Sequence, residues 1–486
     1  MESTYFTRAG IGCICCVFSA LAGSALYRKL IHIFFAPRAL RHIPKVNTFQ
    51  WFWSILIGES HDVRVKKLVL PIMNQHGLCL KYIMGHWSLT VADPQYLQVL
   101  LKDMETFPKI QMAMDPDLIL TNQAPSMSNS SMHDWRRQRK VANPAFQQPM
   151  PIETFGNIVL NIFKTIEQNQ PDGVIDAVDY MKRYALDGLG SGILGLDMGA
   201  ISDANSHYSN LYKEAFSIVR DPLVYLFPAY TRIPSRWIPY RNRARLANER
   251  LRTIFYTVLK EKKKQKPEKN ADLLSLMVEA NRGGLDMAYL TDGELIANLS
   301  TFFVAGHETT ASATASFLYY LAVNPDIQEK ARQEVVSILG DDLEDVLPTE
   351  KELKQMTFLN YCIKETMRIN PPTSGNLPRT TSKDTYIENY WDKPQDFIPE
   401  RFDPTHESYR ENAVWMPFGY GPRTCVGVNF SLSEQRVLHA MLLRKFTWSL
   451  VPNSEHQKGL KNANGGGIGL LGPESLKIQL TKRHHQ

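Results

Sequence analysis

Hydrophobic and polar positions alternate in three distinct ways along this chain. From Ala9 to Tyr27 there is no charge at all over 19 residues, long enough to cross a bilayer as a helix. Arg28, Lys29, Arg38, Arg41 and Lys45 follow, and the positive-inside rule then places the C-terminal body in the cytoplasm. A cleaved signal peptide, the rival reading, has a shorter apolar region with its basic cluster in front. Further on, Leu78-Cys79-Leu80-Lys81-Tyr82-Ile83 and Ser88-Leu89-Thr90-Val91 predict strands, with a short amphipathic helix over Pro94–Leu101. Residues 108–132, rich in Met, Asn, Ser and Pro, read as a long loop, and 152–260 as mainly helical. The longest predicted helix opens at Thr291. Thr291 and Glu294 form a T-x-x-E capping box after Leu290, and no proline intervenes until Pro325. Thr291 to Ala322 would run about 48 Å at about 1.5 Å per residue.

Composition narrows the class. The 486 residues are 44% hydrophobic and 21% charged, ordinary globular usage. No Pro/Gly/Ser-rich linker or internal repeat divides them. We therefore expect residues 1–45 as membrane anchor and hinge and 46–486 as one mainly α body with small β-sheets. Pro37, Pro44, Phe49, Trp51, Phe52 and Trp53 mark the junction. A net charge of +6 is no nucleic-acid footprint, but it suits anionic lipid or an acidic partner. Six cysteines show no disulfide or zinc spacing, consistent with a reducing compartment. Two N-x-S sites occur, at Asn129 and Asn298, the second inside the long helix. The lysine-rich stretch 260–269 reads as a solvated loop.

The most informative residues are Phe418-Gly419-Tyr420-Gly421-Pro422-Arg423-Thr424-Cys425-Val426-Gly427, which run into a helix-like stretch to Phe446. Gly421 and Gly427 permit tight bends and close approach to a flat cofactor. Cys425 just before a helix favours a thiolate, and Arg423 offers a fixed charge to a carboxylate. A glycine-rich loop holding a structural cysteine is the plainer alternative. Five fixed positions in ten residues favour a haem-thiolate cradle, and here the chain resembles the cytochrome P450 family, in particular its microsomal, eukaryotic (fungal) branch.

Other segments match that family in order. Ala305-Gly306-His307-Glu308-Thr309-Thr310 lies within the long helix, although a central glycine costs about 1 kcal/mol there. Small residues at 305 and 306 would make room for a ligand, Thr309 would hold a distal oxygen, and Glu308 would relay protons. The alternative is close packing of two helices. His307 reads as the variable position of the motif. Trp135 and Arg139 lie one turn apart and can reach a haem propionate. Arg379 matches a further propionate-binding position. The resemblance makes Glu365, Arg368 and Arg401 a buried structural network.

The resemblance implies a haem b monooxygenase with axial thiolate Cys425, a single-pass protein of the endoplasmic reticulum membrane. Electrons would come from NADPH-cytochrome P450 reductase, with cytochrome b5 as a further partner, because no flavin or nicotinamide fingerprint occurs here. A basic surface around Arg436, Arg444 and Lys445 is the expected docking face. Phe418, Gly421, Gly427 and Ala305 would shape the haem pocket, and dioxygen with a lipophilic small molecule would be the substrates. The chain departs from the family between Glu388 and Trp391, where two strands and their connector are missing. That reads as an internal deletion. Two alternatives therefore stand: a haem isomerase or dehydratase needing no reductase, and a non-catalytic deletion form holding haem poorly.

Overall fold

The computed structural model describes residues 23–24, 27–28, 30–83, 85–91, 94–109, 124–265, 271–282, 289–342, 344–373, 375, 396–409, 415–464 and 469–483. The main helices are α1 (Thr48–Leu56), α2 (Pro94–Lys102), α3 (Met132–Phe146), α4 (Ile152–Asn169), α5 (Ala177–Leu189), α6 (His207–Phe216), α7 (Pro222–Leu226), α8 (Pro239–Lys262), α9 (Leu273–Arg282), α10 (Asp292–Ala322), α11 (Pro325–Leu339), α12 (Thr357–Ile369) and α13 (Val428–Lys445). Strands β1 (Leu78–Ile83) and β2 (His86–Val91) pair as an antiparallel hairpin, Leu78 opposite Val91. Strands β3 (Val174–Asp176), β4 (Phe446–Leu450) and β5 (Lys477–Lys482) form a second sheet in the order β3-β5-β4. This is the expected mainly α body with small sheets.

The long helix forms for the reasons legible in its sequence. Thr291 accepts a hydrogen bond from the Glu294 amide, and Glu294 accepts from the Thr291 amide, so both exposed donors of the first turn are satisfied. The helix then runs 31 residues to Ala322, buried along most of its length. It packs along α5, with Gly306 set against Leu189. A β-carbon there would stand 2.6 Å from Leu189 Cδ2. Gly306 therefore serves helix packing, and the reading that it clears room for a ligand is corrected.

Asn298 has no exposed surface, which removes it as a glycan acceptor. The end of α13 corrects another expectation. Arg444 is buried and donates to the carbonyls of Gly340, Asp342 and Glu344. Lys445 is bound to Asp345, and Arg436 to Asn360. These cations tie the middle and end of α13 to neighbouring segments, so they do not form an open basic docking face. Among the described residues no helix is long and apolar enough to cross a membrane. The run Ala9–Tyr27, Arg379 and the Glu388–Trp391 junction lie outside the described residues, apart from positions 23, 24 and 27.

Candidate functional site: a thiolate cradle beneath a long helix

The cysteine loop is built by two left-handed glycines and one strong turn. Gly419 (φ +75°) and Gly421 (φ +73°) adopt a conformation that side chains resist. A β-carbon on Gly421 would sit 2.8 Å from the Leu101 carbonyl at the end of α2. Gly427 is different. Its φ is −87°, and a β-carbon would make ordinary contacts with Phe146 at 3.8 Å and Cys425 Sγ at 3.9 Å. The left-handed backbone thus falls at 419 and 421, while Gly427 stands in the turn before α13 without a positive φ. The Cys425 amide donates to the Phe418 carbonyl at 2.9 Å, closing the loop just before α13.

Cys425 is exposed, yet the surrounding protein withdraws enough water to push its thiol up. The Gly427 backbone N–H, Arg139 and Lys109 act in the opposite direction. Burial is thus the larger influence on this thiol, and the N–H and the two cations the smaller. The helix start favours the thiolate through the Gly427 N–H, and burial opposes it. A bound cation would complete the charge balance.

The wall above is α10. In this otherwise buried helix Ala305 is exposed, and Thr301, Thr309 and Ser312 are half-buried. These recur every three or four residues and share one face, as the lining of a cavity requires. Two contacts tie α10 to the elements that flank the cysteine loop. Phe302 meets Phe146 edge-on at 5.2 Å, and Phe146 lies beside Gly427. Thr310 Oγ1 is 3.3 Å from Ser431 Oγ on the first turn of α13. Thr309 Oγ1 donates to the Ala305 carbonyl at 2.5 Å, so its oxygen remains an acceptor. Glu308 is buried, with Oε1 3.6 Å from His307 Nδ1. His307 Nε2 donates to the Lys182 carbonyl at 2.9 Å, which puts the proton on Nε2 and turns Nδ1 toward Glu308. Sequence reasoning left His307 without a role; only the approach of α5 reveals one.

One side of the cleft gathers cations. Arg423 stacks on the buried Trp135 ring, 4.4 Å from guanidinium carbon to centroid. It also donates to the Met127 carbonyl at 3.4 Å. Arg139 donates to the Thr424 carbonyl at 2.9 Å, next to the cysteine. Trp135, Arg139, Arg423 and Cys425 are thus brought together as expected. Glu365, Arg368 and Arg401 form the expected buried cluster, with Glu365 accepting from both arginines and from the Ile398 amide. A thiol beneath an open helix face, with two arginines at one edge, fits a flat apolar macrocycle bearing a metal and carboxylates.

The comparisons agree with this geometry. A cytochrome P450 family model matches residues 44–390 and 386–479. The chain is 27% identical over 431 residues to cytochrome P450 3A9 of Rattus norvegicus, covering 81% of this chain and 82% of that one. It is 26% identical over 421 residues to cytochrome P450 6a2 of Drosophila melanogaster, covering 77% and 81%. Among solved structures, a P450DA heme domain superposes with a TM-score of 0.75 at 19% identity, covering 91% and 98%. A zebra fish cytochrome P450 with abiraterone gives 0.66 at 19% identity, covering 85% and 98%. This chain belongs to the cytochrome P450 family. Its members are monooxygenases that bind haem through a cysteine thiolate to iron and work with a redox partner, a substrate and dioxygen.

Proposed function

We propose that this chain inserts one atom of dioxygen into a lipophilic small molecule, with Cys425 as the axial ligand of haem b. The observation that carries the reading is the exposed Cys425 just before α13, with Arg139 donating to the neighbouring Thr424 carbonyl and Arg423, two residues earlier, lying on the Trp135 ring. When bound, a thiolate-ligated haem supplies the electron push that activates oxygen. The residues of the chain bind, orient and deliver protons. Arg423 and Arg139 hold carboxylates at one edge, Trp135 supports Arg423, and Arg379 joins them by family analogy. Phe418, Gly421, Gly427 and Ala305 set the shape of the pocket. Thr309 Oγ1 accepts a hydrogen bond in the distal cleft, and Glu308, oriented beside His307, returns protons to it. Electrons come from NADPH-cytochrome P450 reductase, with cytochrome b5 as a second donor.

The proposed domain division is a membrane anchor over 1–45 and a catalytic body over 46–486 at the endoplasmic reticulum. An exposed apolar face supports it: Phe49, Trp53 and Leu56 on α1, with Leu223, Phe227 and Trp237 beside α7. The rings of Phe52 and Phe227 lie 6.2 Å apart and join the two groups. Such a face suits the lipid interface. The internal deletion near residues 388–391 is part of the proposal. It is supported by the family match falling into two pieces that meet there.

The test is the reduced carbon monoxide spectrum of the purified protein. Cys425→Ser is expected to abolish the thiolate-type Soret band, whereas Cys362→Ser, at a fully buried site, leaves it in place. A band that persists in Cys425→Ser would overturn the assignment.

A further inference from the structure

Asn298 on α10 is a saturated node. Its side-chain oxygen accepts from the Met127 amide at 2.9 Å. Its amide nitrogen donates to Gln138 Oε1 at 2.9 Å and to the Glu294 carbonyl at 2.8 Å. Gln138 on α3 donates in turn to the Pro125 carbonyl at 2.9 Å. Both side chains are wholly buried. The two amides therefore grip the segment 125–127 from two helices at once, and a buried amide that uses its donors and acceptor fully has one orientation.

The grip continues to the cysteine loop. The Met127 carbonyl accepts from Arg423, two residues before Cys425, and the same guanidinium lies on Trp135. Arg423 is thus fixed on one side by an aromatic face and on another by a carbonyl, and Asn298 holds the residue that bears this carbonyl. An arginine fixed in place loses less freedom on gripping a carboxylate than one that must first be ordered.

We infer that Asn298, with Gln138, is a positioning residue that presets Arg423 for the haem carboxylate by seating Met127. The inference rests on the proposed placement of haem at Cys425. It assigns a role to a residue that contacts no cofactor and lies outside the family motifs read from the sequence.

The experiment is a double-mutant cycle on the haem-loaded full chain, reading the rate of haem transfer to an excess of apomyoglobin. Asn298→Ala is expected to speed haem loss about tenfold in the natural background and less than twofold when Arg423 is already Gln, because coupled residues are non-additive. Hydrogen exchange over residues 125–130 should rise in Asn298→Ala. Equal acceleration by Asn298→Ala in both backgrounds would reduce Asn298 to general packing and overturn the inference. So would unchanged hydrogen exchange over residues 125–130 in Asn298→Ala. A thiolate-type band retained in the Asn298 variants separates these outcomes from failure of the Cys425 assignment.

Discussion

Replacing Glu365 with glutamine tests the support under the cysteine loop. Glu365 is completely buried and accepts from Arg368 Nε (2.7 Å), Arg368 Nη2 (2.9 Å), the Ile398 amide (2.8 Å) and Arg401 Nε (3.3 Å). The arginine side chains are only 8% and 2% exposed. A carboxamide keeps the shape but leaves two buried cations facing no charge. Breaking a buried pair from one side costs about 3–5 kcal/mol, a large share of the roughly 5–15 kcal/mol that holds a domain together. Unfolding entropy of about 2.1 cal/mol/K per residue over roughly 440 residues converts this to a fall of about 3–5 °C in Tm. Because the Ile398 amide leads into the turn at Pro399–Phe402 that carries Arg401, haem occupancy should fall as well. Thermal melting followed by the Soret band and by tryptophan fluorescence reads both. The control is the triple variant Glu365→Leu, Arg368→Leu, Arg401→Leu, which removes every charge and should recover part of the loss. A Tm within 1 °C of the natural chain for Glu365→Gln, with full haem, would refute the reasoning.

Two further outcomes are expected. Thr309→Ala should keep NADPH consumption while hydrogen peroxide replaces organic product, measured as product formed per NADPH; an unchanged ratio would remove Thr309 from proton delivery. Glu434 is fully buried, its carboxylate makes no hydrogen bond among the described residues, and burial pushes its pKa well up. The folded state therefore binds a proton that the unfolded state gives up near pH 4.3, so stability is fully present below about pH 4.3 and falls as pH rises toward the folded pKa. Glu434→Gln should then be more stable than the natural chain at pH 7 and equal to it at pH 4 in urea titrations, and a variant less stable at both would refute this.

What could be read from the sequence was what the chain settles locally. Thr291 and Glu294 cap α10 across three residues, Glu365 and Arg368 meet across one turn, and Cys425 stands just before its helix. Each needs only spacing. Alternation in β1 and β2 was equally visible, because a strand shows its two faces in neighbouring residues. Gly421 was legible as a tight bend, whereas the left-handed Gly419 was passed over and Gly306 was misread, because composition tells that a glycine is tolerated, not which neighbour demands it. Leu189 accounts for Gly306.

The remaining misses share one cause: the partner lies far along the chain. Arg444 looked like an exposed cation because a helix end is usually solvated. The carbonyls of residues 340, 342 and 344 instead converge on it, and a guanidinium with five donors satisfies several such groups at once. His307 gained an orientation only through the Lys182 carbonyl. Asn298 read only as a polar position inside the long helix until Met127 and Gln138 closed on it. A buried polar side chain must find partners or cost stability, so each of these residues announced a tertiary contact without naming it. In α10 the buried hydroxyls Ser300 and Thr314 bond back to their own helix, to the carbonyls of Ile296 and Thr310, and carry no long-range information. The amide of Asn298 has more groups to satisfy than its own turn supplies. The excess is what ties α10 to the loop over the cysteine.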